Sequence, residues 1–512
     1  MNKKHDKEDQ YVFFSECTER SISCNQESSK EAYDRCSWLK SSNFHFLCKE
    51  YAFVFTGVMA QAFNQAGGTM ILPLVNVLSD SFHGKFLLNS YPMVCGSFML
   101  IGGRLGEVHG YKETLLGGYI ILILSSLLGG LSRYSKSSIF YVICRAFQGV
   151  GMALILPNFS AAYDYRYQSQ AKAHRKTILS TIIGCGASTG AFLGTFLSGI
   201  CVTRSESNWS WAYYTYTIAA TLTLALSYYS VPDNITKKNK PCLNGLGWFS
   251  NRSCGLLMLN VACNLAAVAS SNWSHIIVLL VVFVCLLLLF LVFELKFSED
   301  PVFSKELFTN ASVSLVLASI FFGWGTYGIW SGYFFRFLLN LRNYSPLAAG
   351  STYLTLVIGG YVAEIGISML VKRTGPKLFL LFSSLGFTCS IIILSVTPIH
   401  QSYFRSTLGS MIFLALGLDF SFPSSAIILQ NELPSKYHEM TAVLTNGIFN
   451  YAISFWPGIC NSALRSLSSI ELIKYYRYVY YFAIGLSAIG LFAAGIQLAR
   501  ASIMYYRGKY TG

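Results

Sequence analysis

The sequence predicts an all-α polytopic membrane protein of fourteen spanning helices, and three observations carry that prediction. Hydrophobic residues make up 53% of the 512-residue chain and charged residues 12%, about half the charged share of a soluble globular protein. Apolar runs of ~20 residues, enough for a helix to cross the ~30 Å hydrocarbon core, recur between residues 51 and 499. The basic residues are sorted by side: with the N-terminus inside, 27 of the 38 Lys and Arg fall in cytoplasmic segments and 10 in external loops, with Arg145 inside a helix. Both termini are therefore expected in the cytoplasm. The net charge of +14 is topological, with some attraction to anionic lipid, and is no nucleic-acid footprint. A soluble enzyme is excluded.

In chain order, residues 1–48 are polar and rich in Ser and charge, and are expected to form a disordered cytoplasmic tail. Spans at 51–75, 85–103, 114–132, 139–160, 177–201 and 210–231 make an N-terminal half over 49–231. A cytoplasmic loop at 232–252 leads to two further spans at 253–271 and 275–296, within an insert over 253–297. After a loop at 298–309, spans at 310–335, 347–371, 378–397, 406–429, 440–463 and 478–499 form a C-terminal half over 310–499, followed by a cytoplasmic tail at 500–512. No secretory leader is expected, because the first span is too long and lacks a small-residue cleavage site after it. The fourteen cysteines show no C-x-x-C or zinc spacing, so neither structural disulfides nor a metal is expected. No phosphate-binding G-x-x-x-x-G-K-[ST] occurs, so ATP is not the expected energy source. The sequons at Asn208, Asn272 and Asn343 fall in short external loops.

Two matches relate the halves. Leu105, Gly110 and Lys112 recur as Leu370, Gly375 and Lys377, 265 residues later, and Gly151 and Pro157 recur as Gly417 and Pro423, 266 later. Nearly equal offsets imply two pseudo-symmetric six-helix halves with two inserted helices between them. The second copy lacks the acid, since Lys372 stands where Glu107 would.

Several residues are candidates for function. Between the second and third spans runs Gly103-Arg104-Leu105-Gly106-Glu107-Val108-His109-Gly110-Tyr111-Lys112. Its glycines permit a tight turn. Glu107 can pair with Arg104, Lys112 or a basic group of the other half, or sit at a helix N-terminus. In the fourth span Arg145, Gln148 and Gly149 share one helix face. A buried arginine costs at least ~2.5–3.5 kcal/mol unless paired or hydrated, so Arg145 is expected to face a cavity, or else to snorkel outward. Gly186, Gly190 and Gly194 recur every fourth residue in the fifth span and suit close helix packing. Asp419, near the middle of the twelfth span, and Glu364, on a stripe with Gly360 and Ser368 in the tenth, are intramembrane carboxylates and hence candidate proton carriers, or buried anchors for packed helices. Gln61, Asn64 and Gln65 in the first span, and Asn260 and Asn264 in the seventh, offer uncharged groups to a solute. Trp324, Tyr327 and Trp330 line a pocket or face lipid.

The turn matches at every position the signature G-x-L-x-D/E-x-x-G-x-K, and the fourth span resembles R-x-x-Q-G-x-G; both are motifs of the major facilitator superfamily. The fifth span resembles the antiporter motif G-x-x-x-G-P-x-x-G-G, with Ala191 for the proline and Thr195 for the last glycine. Asn64-Gln65-Ala66-Gly67, Trp209-Ser210-Trp211-Ala212-Tyr213-Tyr214 and Gly417-Leu418-Asp419-Phe420-Ser421-Phe422-Pro423 are similar to the fungal fourteen-helix drug:proton antiporter branch, which includes yeast aminotriazole-resistance and boron-efflux transporters. The likeness spans about residues 48–500. It implies the major facilitator fold and alternating access. It also implies a cytoplasmic latch at Gly103, Arg104, Leu105, Glu107, Gly110 and Lys112, and proton coupling through Arg145 and Gln148. With Asp419 and Glu364 added, the expectation is a monomeric plasma-membrane (or vacuolar) exporter of small polar or toxic solutes such as drugs, aminotriazole or borate. Protons are the coupling ion, and no cofactor, enzyme activity or nucleic-acid partner is expected. Two alternatives stand. Many proton-coupled exporters of the fourteen-helix branch carry an acid in the first span; its absence here and Ala191 favour a facilitator or importer of ammonium or a metal chelate, while a non-transporting sensor is opposed by the lack of a large cytoplasmic domain.

Overall fold

The computed structural model describes residues 29–82, 89–135, 137–167, 173–233, 310–434, 437–464 and 471–510, together with Leu257, Asn260, Val261 and Asn264. The inserted spans expected at 253–271 and 275–296 lie outside the described residues apart from those four positions, as does Asn272. The chain divides into two compact units, Met1–Phe53 and Val54–Gly512. One helix, α1 (Ser29–Thr69), runs through the division, so residues 29–48 are helical where a disordered tail was expected. No Pro or Gly interrupts residues 29–56, and a helix already nucleated in the span extends at little cost.

The remaining elements of the larger unit are also helical: α2 (Val75–Ser81), α3 (Ser90–His109), α4 (Tyr111–Ser135), α5 (Ser138–Arg166), α6 (Ala173–Arg204) and α7 (Ser210–Ser230) in the first half. The second half holds α8 (Ala311–Arg336), α9 (Pro346–Ser351), α10 (Leu354–Thr374), α11 (Pro376–Val396), α12 (Leu408–Glu432), α13 (His438–Ala463) and α14 (Leu472–Tyr510). Eight helices among the described residues are long and apolar enough to cross a membrane, which is compatible with fourteen in the whole chain. In hydrocarbon the backbone must satisfy its own polar groups, which leaves helices as the economical solution. Starts are marked by side chains: Ser137 accepts from the Phe140 N–H, Asn310 from Ser312, and Ser345 from Ala348 just before Pro346. Hydroxyls inside the helices bond back to their own turn, as Ser126 does to the Leu122 carbonyl (2.5 Å) and Thr445 to that of Thr441 (2.8 Å). Outward faces carry exposed Leu124, Leu128, Ile358, Val362 and Met369, as lipid-facing helices require.

The repeat read from the sequence has a structural counterpart. Gly110 between α3 and α4 and Gly375 between α10 and α11 take the left-handed backbone, at φ +108° and +85°, which side chains with a Cβ resist. Where α4 meets α5, a Cβ on Gly118 would lie 2.8 Å from the Gly151 carbonyl. At the equivalent place in the second half, the Ser383 hydroxyl donates to the Gly417 carbonyl (2.6 Å).

The halves meet along two seams. On one, α3 lies so close to α13 that a Cβ on Gly96 would be 2.4 Å from the Tyr451 nitrogen. On the other, α6 packs against α9 and α10. At the end assigned to the exterior, this seam is tied by Thr195 Oγ to the Gly350 carbonyl (3.1 Å) and the Leu347 N–H to Thr203 (3.2 Å). Asn76 also donates there to Asn340 across the halves (2.7 Å).

Candidate functional site

A cavity of about 330 Å³ lies between the halves. Gln61 and Gln65 of α1 and Ser188 of α6 line it from the first half; Trp324 and Tyr327 of α8, Glu364 of α10, Asp419 of α12 and Asn446 of α13 line it from the second. It extends past Tyr163, Asp164, Lys176, Val371 and Gln430, all near the helix ends on the side of the 103–112 turn. Lys176 pairs with Asp164 there (2.7 Å). One wall is aromatic: Trp324 stacks on Phe449 with ring centres 4.1 Å apart, and its indole N–H donates to Ser421 (2.9 Å).

Glu364 and Asp419 are 7% and 8% exposed. Among the described residues neither carboxylate has a hydrogen-bond or ion-pair partner. Space for them is left by glycines. A Cβ on Gly184 would lie 2.6 Å from Glu364 Oε1, and one on Gly360 would lie 2.7 Å from Asp419 Oδ2 and 2.9 Å from Ser188 Oγ.

Arg145 is fully buried but does not line the cavity, a correction to its expected placement. Its guanidinium donates to the Gly67 carbonyl (2.6 Å) and to Gln148 Oε1 (2.7 Å), and lies over the Tyr91 ring at 4.9 Å. Gln148 passes the chain on to Ser126 (2.9 Å). Carbonyl, amide and ring replace water around the charge, so Arg145 needs neither the cavity nor the interface. Arg145 and Gln148 thus come together as the sequence suggested, while Glu364 and Asp419 sit apart from them at the cavity.

In the turn, Glu107 pairs with Arg104 of its own helix (2.7 Å). Lys112 is buried, bonds to Asp233 and lies 5.0 Å from the Tyr228 ring centre. Leu105 and Gly110 close the α3 end, the Gly110 N–H donating to the Gly106 carbonyl (2.9 Å). Gly103 faces Pro157 of its own half and Val443 of the other, where an added Cβ would meet them at 3.5 and 3.7 Å. The glycine ladder of α6 packs on α1: Cβ atoms on Gly186, Gly190 and Gly194 would come within 2.4 Å of Val58, 2.1 Å of Ala62 and 2.7 Å of Thr69.

Comparison with known proteins settles the class. A profile described as the Major Facilitator Superfamily matches residues 57–457. The chain belongs to the major facilitator superfamily. The aminotriazole resistance protein of Saccharomyces cerevisiae is 35% identical over 92% of this chain and 88% of its own length. Efflux pump terJ of Aspergillus terreus is 28% identical over 87% of each. Among solved structures, a POT family transporter in complex with 5-aminolevulinic acid has a TM-score of 0.61 at 13% identity, covering 87% of this chain and 96% of that one, which supports the fold alone.

Within this superfamily member, other expected placements need correction. Asn64 turns from the cavity to α3: its carbonyl accepts from Tyr91 (2.9 Å) and its side chain meets Cys95. Asn260 and Asn264 face α13, where Ser454 donates to Asn260 (2.9 Å) and Asn264 reaches the Ser454 carbonyl (3.3 Å). Each amide found a polar neighbour on an adjacent helix, a cheaper arrangement than facing lipid. Trp324 and Tyr327 line the cavity; Trp330 is buried in the second half, stacked on Phe334 at 4.3 Å. None faces lipid. Ser188, Asn446 and Phe449 were missed. Asn446 and Asn450, amides four apart and hence on one face of their span, were the available signal.

Proposed function

We propose that this transporter exports small polar or toxic solutes in exchange for inward protons, by alternating access, from the plasma membrane of the cell. The observation that carries the reading is the pair of buried carboxylates, Glu364 and Asp419, facing one cavity without an ion-pair partner among the described residues. Such a carboxylate costs least when protonated and can accept its charge when water or a solute enters. Proton and solute therefore favour different states of the same site, which couples their movements. The resistance protein and the efflux pump to which the chain is similar support the outward direction. Gln61, Gln65 and Asn446 suit a polar cargo, and Trp324 with Phe449 suits a flat one.

The cavity's extension toward the 103–112 turn, with the opposite end tied by Thr195–Gly350 and Asn76–Asn340, fits a state open to the cytoplasm. Glu107 pairing inside its own half fits the latch in its released position. The test is growth and solute content of a deletion strain and an overexpressor on boric acid, aminotriazole and methylammonium, with and without a protonophore. Lower accumulation in the overexpressor, lost with the proton gradient, is the expected result. Higher accumulation, or independence of the gradient, overturns proton-driven export in favour of a facilitator or importer. A C-terminal fluorescent fusion, with protease accessibility in intact cells, checks the membrane and the cytoplasmic termini.

A further inference from the structure

Both carboxylates line the cavity beside the seam where α6 of the first half meets α10 of the second. Glu364 projects from α10 against Gly184 of α6, so close that one methyl group there would stand 2.6 Å from Oε1 and 2.9 Å from the carboxyl carbon. Asp419, from α12, reaches past Gly360 of α10 to a spot beside Ser188 of α6. Each acid thus rests on bare backbone, one on each side of the same seam. The same two helices touch again at Thr189 and Tyr361, whose hydroxyls are 2.8 Å apart.

We propose that Gly184 and Gly360 are positioning residues of the coupling site, forming a seat across the α6–α10 seam through which the charge state of Glu364 acts on the contact between the halves. A charged carboxylate held against the opposite half draws water into the seam and loosens it; a neutral one lets the helices close on it. The groups that face Glu364 from its neighbours are Asp419 from α12 and Cys185 from α6. Ser188 offers a hydroxyl that is already bonded to the Cys185 carbonyl (3.3 Å). The inference rests on the proton-antiport reading, but its geometry can be tested apart from it.

The experiment is a double-mutant cycle in the full-length protein with Gly184→Ala, Glu364→Asp and both together, and Gly366→Ala as control, since nothing lies within 4 Å of a Cβ at Gly366 on the same helix. Gly184→Ala is expected to lower transport about tenfold by pushing the Glu364 carboxyl, the far end of a flexible side chain, out of its place against α6, which is one decade of rate or about 1.4 kcal/mol, and to shift its pH profile. Glu364→Asp withdraws the carboxyl by one methylene and makes room for the added methyl. Gly184→Ala should therefore be nearly silent in the Glu364→Asp background, and Gly366→Ala silent throughout. If Gly184→Ala does not reach the membrane, recovery of expression by Glu364→Asp reads the same compensation. Additive effects, no recovery, or an unshifted pH profile overturn the seat. Thermal melting of the purified variants repeats the cycle without transport. Coupling in melting without proton-driven transport keeps the seat and removes the antiport reading. Proton-driven transport without coupling removes the seat alone.

Discussion

Replacing Gly190 by alanine tests whether the glycine ladder of α6 sets the distance between α6 and α1. A Cβ there would lie 2.1 Å from the Ala62 carbonyl oxygen, 2.4 Å from its Cα and 2.6 Å from its carbonyl carbon, against an ordinary contact of 3.4 Å or more. The obstacles are backbone atoms, so no rotamer change relieves them; the helices must part by about 1.3 Å, the difference between the ordinary and the available distance. That also loosens the contacts of Gly186 and Gly194, one turn away on either side. Overpacking costs about 1–3 kcal/mol, and the upper end applies where the obstacle is main chain. For a chain of this size the melting midpoint should fall by about 1–3 °C. The assay is thermal unfolding of detergent-solubilised protein, with wild type and variant at one heating rate because such unfolding is rarely reversible. Gly117→Ala on α4 is the control: nothing lies within 4 Å of its Cβ, so its midpoint should hold or rise. A Gly190→Ala midpoint equal to wild type would refute the ladder as a packing device.

Asp419→Asn should abolish proton-driven transport with surface expression intact; normal flux in this variant removes Asp419 from the mechanism. Arg145→Lys should destabilise the protein, because a single ammonium cannot hold both the Gly67 carbonyl and Gln148, and one buried unpaired acceptor costs about 1–3 kcal/mol. An unchanged melting midpoint would show that lysine satisfies the site. Trp324→Phe removes the donor to Ser421, whose own hydroxyl still donates to the Leu418 carbonyl (2.6 Å). The fold should hold while the KM for a flat solute rises roughly 2–3-fold, because phenylalanine keeps an aromatic face and gives up only part of a contact worth about 0.5–1.5 kcal/mol; an unaltered KM places the solute elsewhere.

Much of this architecture was legible in the chain because hydrocarbon leaves few choices. Length and apolarity mark the helices, and the 265-residue offset paired Gly110 with Gly375, which the structure shows to share a left-handed backbone. Asp419 and Glu364 were legible for the same reason, since carboxylates in apolar spans need a wet surface. Partner choice was not legible. Helical spacing put Gln61, Asn64 and Gln65 on one broad face, but a face spans several neighbours, and Asn64 fell on the α3 side of it, beside Tyr91. Arg145 was misplaced because its main partners are a backbone carbonyl 78 residues away and the face of Tyr91, neither of which a pattern of side chains announces. The seats of the carboxylates escaped notice too. Gly184 and Gly360 look like ordinary packing glycines until the acid opposite each is placed in space.

The hydroxyls along the cavity wall have a consequence for turnover. Ser180, Thr181 and Ser188 line the cavity, and each already donates to a carbonyl of its own helix. Along this stretch of the wall the hydroxyls lose nothing when a solute leaves, and a passing molecule gains only their spare lone pairs. Grip from that stretch is weak, so selectivity falls to the other lining groups, the carboxylates and the aromatic wall. On the transport reading proposed above, a wall that holds little lets a bound solute leave quickly.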